Sequence, residues 1–144
     1  MKRLIVPFTL FLASCVSVGS TTGTAGDTVT VSVTLLALPT QPVGGVQFTL
    51  AVAPPLVADG CQPTDLVGPL SGAAVRLDGT TKAVWTAPGA TTFPLHADLG
   101  TCSVSIAPSA APGDYPLALT DVMGSTAEGG RIALGASNGV VHVQ

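Results

Sequence analysis

From residue 28 to residue 35 the chain alternates without a fault. Val29, Val31, Val33 and Leu35 fall on one phase, and Thr28, Thr30, Ser32 and Thr34 on the other. A period of two sends successive side chains to opposite faces of a strand, so this stretch predicts a strand with one face buried. β-Branched residues fill nearly every position and suit a pleated, half-buried surface. Gly26-Asp27 supplies the turn before it, and Pro39, which cannot donate to a ladder, closes it.

Weaker versions of the pattern recur along the chain. Residues 16–19 predict a short first strand, followed by a Thr/Gly-rich turn to Gly26. Residues 46–52 alternate with Val46, Phe48, Leu50 and Val52 inward, and Pro54-Pro55 stops them. The stretch 56–70, punctuated by Gly60, Pro63, Gly68 and Pro69, reads as loop with at most one short strand. Residues 72–77 predict an edge strand turned by Asp78-Gly79, a strong hairpin signal. Further strands are predicted at 82–87, which holds Trp85, and at 91–95. In 101–107 Cys102, Val104 and Ile106 point inward, and in 115–120 Tyr115, Leu117 and Leu119 do. Segments 131–134 and 139–143 end the set. No segment carries a 3.6-residue apolar period over three turns. Eight or nine short strands at close spacing predict an all-β sandwich.

Composition fits that reading and narrows the function classes. Of 144 residues only 9% are charged, with 17 Gly and 12 Pro, as short strands joined by tight turns require. The formal charge of −3 and the scarcity of Lys and Arg exclude the basic footprint of a nucleic-acid binder. Met1-Lys2-Arg3 followed by the apolar run 4–12 reads as a secretory signal, because the run is too short to span a bilayer. Leu12-Ala13-Ser14-Cys15 resembles the bacterial lipobox. The division expected is a lipoprotein-type signal over 1–14 and one domain over 15–144, with Cys15 as the lipidation site at the cell envelope. An ordinary secretory signal with an incidental cysteine is the alternative. Cleavage before Cys15 leaves three basic and eight acidic side chains, 3 − 8 = −5. Lipidation takes up Cys15 and leaves Cys61 and Cys102, an even pair in an oxidising compartment. A bridge between them closes a loop of about 40 residues, stabilising by roughly 3–4 kcal/mol on the chain-entropy account; two buried free thiols are the alternative.

With the segments in order, the chain resembles a cohesin domain. The resemblance is carried by Val16-Ser17-Val18-Gly19, by 25–33 (Ala-Gly-Asp-Thr-Val-Thr-Val-Ser-Val), and by Gly45-Val46-Gln47-Phe48-Thr49-Leu50. Gly100 before the 101–107 strand, Ala111-Pro112-Gly113-Asp114-Tyr115 and the ending 138–143 complete it. It implies a nine-stranded jelly-roll sandwich, non-catalytic, that binds dockerin domains on one sheet face, and it implies that 16–18 pairs with 140–143. Polar groups that grip a dockerin sit early on the Phe48 strand, which here offers Gly45 and Gln47. Val52-Ala53-Pro54 stands where cohesins commonly carry Tyr-Asp-Pro.

Chemistry-bearing residues add little. His96 and His142 stand 46 positions apart, and neither has a Cys or an acid at ligand spacing, so no metal and no cofactor are expected. No Gly-x-Ser-x-Gly elbow or comparable nucleophile setting occurs. Asp27, Asp59, Asp78, Asp98 and Asp114 adjoin or nearly adjoin Gly and read as turn formers; the Asp-x-Asp-x-Asp spacing of a calcium loop is missing. The expectation is therefore an exported, non-catalytic module with an extracellular protein partner, gripped through Gln47 or through the hydroxyl face at Thr30 and Ser32. The alternative is a polysaccharide-binding module using Trp85 as a sugar platform, against a buried core role for that ring.

Overall fold

Alternation at 28–35 becomes a nine-residue strand in the computed structural model, which describes residues 13–68, 72–75 and 79–144. The basic and apolar leader at 1–12 lies outside the described residues, so the signal-sequence expectation rests on sequence. Twelve strands are described: β1 Cys15–Val18, β2 Thr21–Gly23, β3 Thr28–Leu36, β4 Gly45–Ala51, β5 Leu56–Pro63 and β6 Gly72–Val75. After them come β7 Thr81–Thr86, β8 His96–Ile106, β9 Gly113–Ser125, β10 Arg131–Ile132, β11 Gly135–Ser137 and β12 Gly139–Val143.

They form two stacked sheets. One runs β11-β1-β3-β8-β5; the other is seven-stranded, running β2-β12-β9-β4-β7-β6 with β10 on the far side of β9. Inward phases meet between them. Val29, Val31, Val33 and Leu35 of β3 and Cys102, Val104 and Ile106 of β8 face Val46, Phe48 and Leu50 of β4 and Leu117 and Leu119 of β9, all buried. Trp85 and Phe48 anchor this core edge to face, ring centroids 5.1 Å apart at 77°, a favoured arrangement of aromatic quadrupoles. Gly100 makes room for them: a Cβ there would stand 2.6 Å from the indole and 2.3 Å from the Gln62 carbonyl oxygen. Tyr115 is half-buried, and its hydroxyl donates to Ala111 O at 2.6 Å.

Cys61 and Cys102 are directly opposed on β5 and β8 and are bonded as a disulfide. Several other expectations change. The last strand pairs with β2 (Val141 opposite Thr21), not with 16–18; β1 instead pairs with β3 and, in parallel, with β11. The stretch 21–23 has no apolar residue, so nothing in the hydrophobic pattern marks it as a strand. Residues 91–95 are loop rather than strand, with Phe93 buried and its N–H donating to Val43 O at 2.8 Å. All of 56–63 is strand despite its punctuation, because a register shift between Ala58 and Gly60 takes up Asp59 as an extra residue and Pro63 ends the strand.

Candidate functional site

The outer face of the seven-stranded sheet is built from the phases of β4, β7 and β9 that the core leaves outside. On β4 Val46 and Phe48 point in, so Gln47 points out; on β7 Ala83 and Trp85 are buried, so Lys82, Val84 and Thr86 point out. Register then assembles rows across the strands. Gln47 lies between Val84 and Met123, and Gly45 lies between Thr86 and Ser125, with Arg131 of β10 opposite Ser125 on its other side. A third row holds Lys82, Thr49 and Thr120. One extra residue in β9 between Thr120 and Met123 is taken up at Asp121, an exposed residue with φ +51°. Asp tolerates that left-handed region better than most side chains.

The centre of this face is apolar. Val84 is 44% exposed, and with Gln47 and Met123 it lines a cleft of about 140 Å³. At the sheet's end the cleft continues, through Thr86 and Ser125, into a recess of about 420 Å³. Its walls are the loop before β4, the loop after β7 and the β9–β10 turn. Those loops are tied together: Gly44 N–H donates to Ser125 O (2.7 Å), Ala87 N–H to Gly44 O (2.8 Å) and Gly68 N–H to Thr86 O (2.7 Å). Lys82 and Arg131 have no ion-pair partner among the described residues.

The other outer face is rich in hydroxyls, with Leu36 of β3 and Val57 of β5 also exposed on it. Thr30 and Ser32 lie exposed on β3, opposite Ser103 and Thr101 of β8. Around them the hydroxyls serve one another and nearby acids. Thr28 bonds Ser105 (3.3 Å), Thr34 donates to Asp98 (3.4 Å), and Ser105 donates to Asp59. Gln47 therefore stands on one side of the sandwich and Thr30 and Ser32 on the other, so the three residues do not make one surface. Trp85 is fully buried, with no ring face open to a sugar. Phe48 and Phe93 are buried too, and Tyr115 is half-buried. His142 pairs through Nδ1 with Asp114 at 2.5 Å across β12 and β9, and His96 is exposed. No group of three His, Cys, Asp or Glu side chains that could hold a metal lies among the described residues. Cys15 is a free thiol opening β1.

No family model matches the sequence, and no curated protein does. Solved structures match over nearly the whole chain. The cohesin CaCohA2 of Clostridium acetobutylicum, in its complex with a variant of CaDoc0917, gives a TM-score of 0.80 at 23% identity, covering 91% of this chain and 99% of that one. The chain has the cohesin fold. The cohesin of OlpA from Clostridium thermocellum, bound to Doc918, gives 0.78 at 13% identity, covering 92% and 99%. A non-cellulosomal cohesin from the archaeon Archaeoglobus fulgidus gives 0.72 at 14%, covering 92% and 91%.

Within this cohesin fold the strand bearing Gln47 is β4, inside the seven-stranded sheet. The residues that surround Gln47, namely Val84, Met123, Lys82, Ser125 and Arg131, were not singled out by sequence. They come from strands far apart in the chain, and only the register joins them. One local signal was available: Lys82, Val84 and Thr86 occupy the phase opposite Trp85, so an apolar Val84 on that phase marks an exposed hydrophobe.

Proposed function

We propose that this chain is a non-catalytic protein-binding module that docks its partner on the outer face of the seven-stranded sheet, around Gln47, Val84 and Met123. The observation that carries the reading is an exposed apolar centre on a sheet, flanked by Lys82 and Arg131, which have no ion-pair partner among the described residues. Interface cores need such an apolar, desolvated patch inside a polar rim. Solved cohesins of the same fold are bound to dockerins, which makes a dockerin-type domain the first partner to try. Immobilised protein challenged with dockerin modules encoded in the same genome retains at least one of them, and soluble polysaccharide is not retained. Polysaccharide binding without dockerin binding would reverse the assignment.

Export and attachment to the bacterial envelope through Cys15 complete the proposal. The basic start, the short apolar run and Leu12-Ala13-Ser14-Cys15 support it. Palmitate labelling that disappears in Cys15→Ser is the expected result; labelling that persists contradicts it.

A further inference from the structure

We propose that the recess at the end of the seven-stranded sheet is a socket for one large uncharged apolar side chain of the protein partner, carried on a segment that also presents carboxylates to Arg131 and Lys82. The inference rests on the reading that this sheet face binds protein, and it adds what the partner must bring.

The lining decides the class of occupant. Gly44, Ala87, Pro88, Ala90, Ser125 and Ala127 are among the residues of the wall, and no charged side chain lines it. The volume of about 420 Å³ falls in the range of small-molecule pockets, roughly 300–1,000 Å³, but those sites fix their ligands with convergent polar groups. Here two hydroxyls at the wall are already engaged. Thr91 Oγ1 donates to Pro88 O at 2.6 Å, and Thr126 Oγ1 accepts from Gly130 N–H at 3.0 Å. A lining made largely of Gly, Ala and Pro, with no charged side chain, suits a hydrocarbon or aromatic side chain.

The socket is formed in advance. A Cβ at Gly44 would meet the Ala127 backbone and Thr91 O at 2.9 Å, so only glycine lets those loops close on one another. Ala90 is held at φ +54°, a left-handed conformation that an alanine keeps only where its surroundings impose it. Walls already fixed lose little freedom when the socket is filled.

Charge and continuity say what surrounds the anchor. Thr86 and Ser125 line both the recess and the cleft at Gln47, so one partner segment can cover both. Arg131 is beside Ser125 in register, and Lys82 lies on β7 two residues from Val84. With strands spaced about 4.8 Å and a rise of about 3.3 Å per residue, the two cations stand on the order of 20 Å apart. Among the described residues, Asp121 on the β9 bulge and Glu128 in the β9–β10 turn are the nearby acids, both exposed, and neither pairs with either cation. The matching carboxylates belong to the partner: one within a residue or two of the apolar anchor, the other about six residues away in an extended segment.

The test is a random twelve-residue peptide library displayed on phage and selected on the folded domain. Expected is a consensus of one Leu, Ile, Met or Phe next to Asp or Glu. Ala90→Trp, which fills the socket, and the surface change Arg131→Glu should each cost such peptides at least tenfold in affinity, with circular dichroism checking that both variants are folded. Peptides lacking the acid–apolar pairing, peptides that bind Ala90→Trp undiminished, or no enrichment at all would each overturn the socket. Peptides that keep binding Ala90→Trp but are lost on Val84→Asp overturn the socket and leave the sheet-face reading standing; peptides indifferent to both changes end both.

Discussion

Ser14 is bound into the fold from four directions. Its N–H donates to Gln41 Oε1 at 3.2 Å, its hydroxyl donates to Gln41 O at 3.1 Å and accepts from Leu38 N–H at 3.0 Å, and its carbonyl accepts from Gly135 N–H at 2.9 Å. It is fully buried. Replacing it by alanine leaves a part-buried Leu38 N–H without its acceptor, a loss of about 1–3 kcal/mol. Urea unfolding of Ser14→Ala should show it, and a chain cut to begin at Cys15 should be weakened at least as much. Asp27 acts through charge. The Thr24 backbone N–H, and after it the Thr24 hydroxyl, donate to its carboxylate at 2.9 and 2.8 Å and hold its pKa below the ordinary 3.8. A lowered folded pKa contributes stability above the ordinary value, and that contribution is lost as pH falls through the folded one. Asp27→Asn should therefore be less stable than the parent near neutrality, the two converging in strong acid, in denaturant titrations at a series of pH values.

At the scale of the element, the disulfide staples the edge strand β5 to β8 across a sequence separation of 41. Reduction should lower stability by about 4 kcal/mol, measured by denaturant unfolding with and without reductant; a thiol titration of unlipidated protein before reduction should find Cys15 alone. The elements legible in the sequence were those whose burial follows their own alternation. β3, β4, β8 and β12 bury the residues that their phases predict, because a face against a core filters for apolar side chains at every second position. β2 and β11 were not legible. Thr21-Thr22-Gly23 and Gly135-Ala136-Ser137 are three-residue strands held by backbone pairing to neighbours, and backbone pairing leaves no mark on side-chain pattern. At 91–95 the error ran the other way. Phe93 is apolar because a loop tucks it into the core, not because a sheet continues there. Gln47 was reachable through the cohesin resemblance, whereas its neighbours Val84 and Met123 depended on a register that spans three distant strands.

Across the whole molecule the two outer faces divide the work. The five-stranded face shows hydroxyls that bond one another and the acids Asp59 and Asp98, with Leu36 and Val57 exposed beside them. The seven-stranded face shows Val84, Met123 and Gln47 between Lys82 and Arg131, with a rigid recess at its end. Desolvating the hydroxyls of the first face on a partner would cost the hydrogen bonds they make to neighbours, while the second face adds to Val84 and Met123 an apolar cleft and recess for a partner to fill. The central claim is that docking belongs to the second. Its most direct test is a calorimetric titration of the dockerin-type partner against the parent domain, Val84→Asp and Ser32→Asp. The account predicts a loss of roughly thirtyfold or more for Val84→Asp, the scale of an interface hot spot, and affinity within about twofold of the parent for Ser32→Asp. Loss confined to Ser32→Asp, or no loss at Val84→Asp, would contradict it.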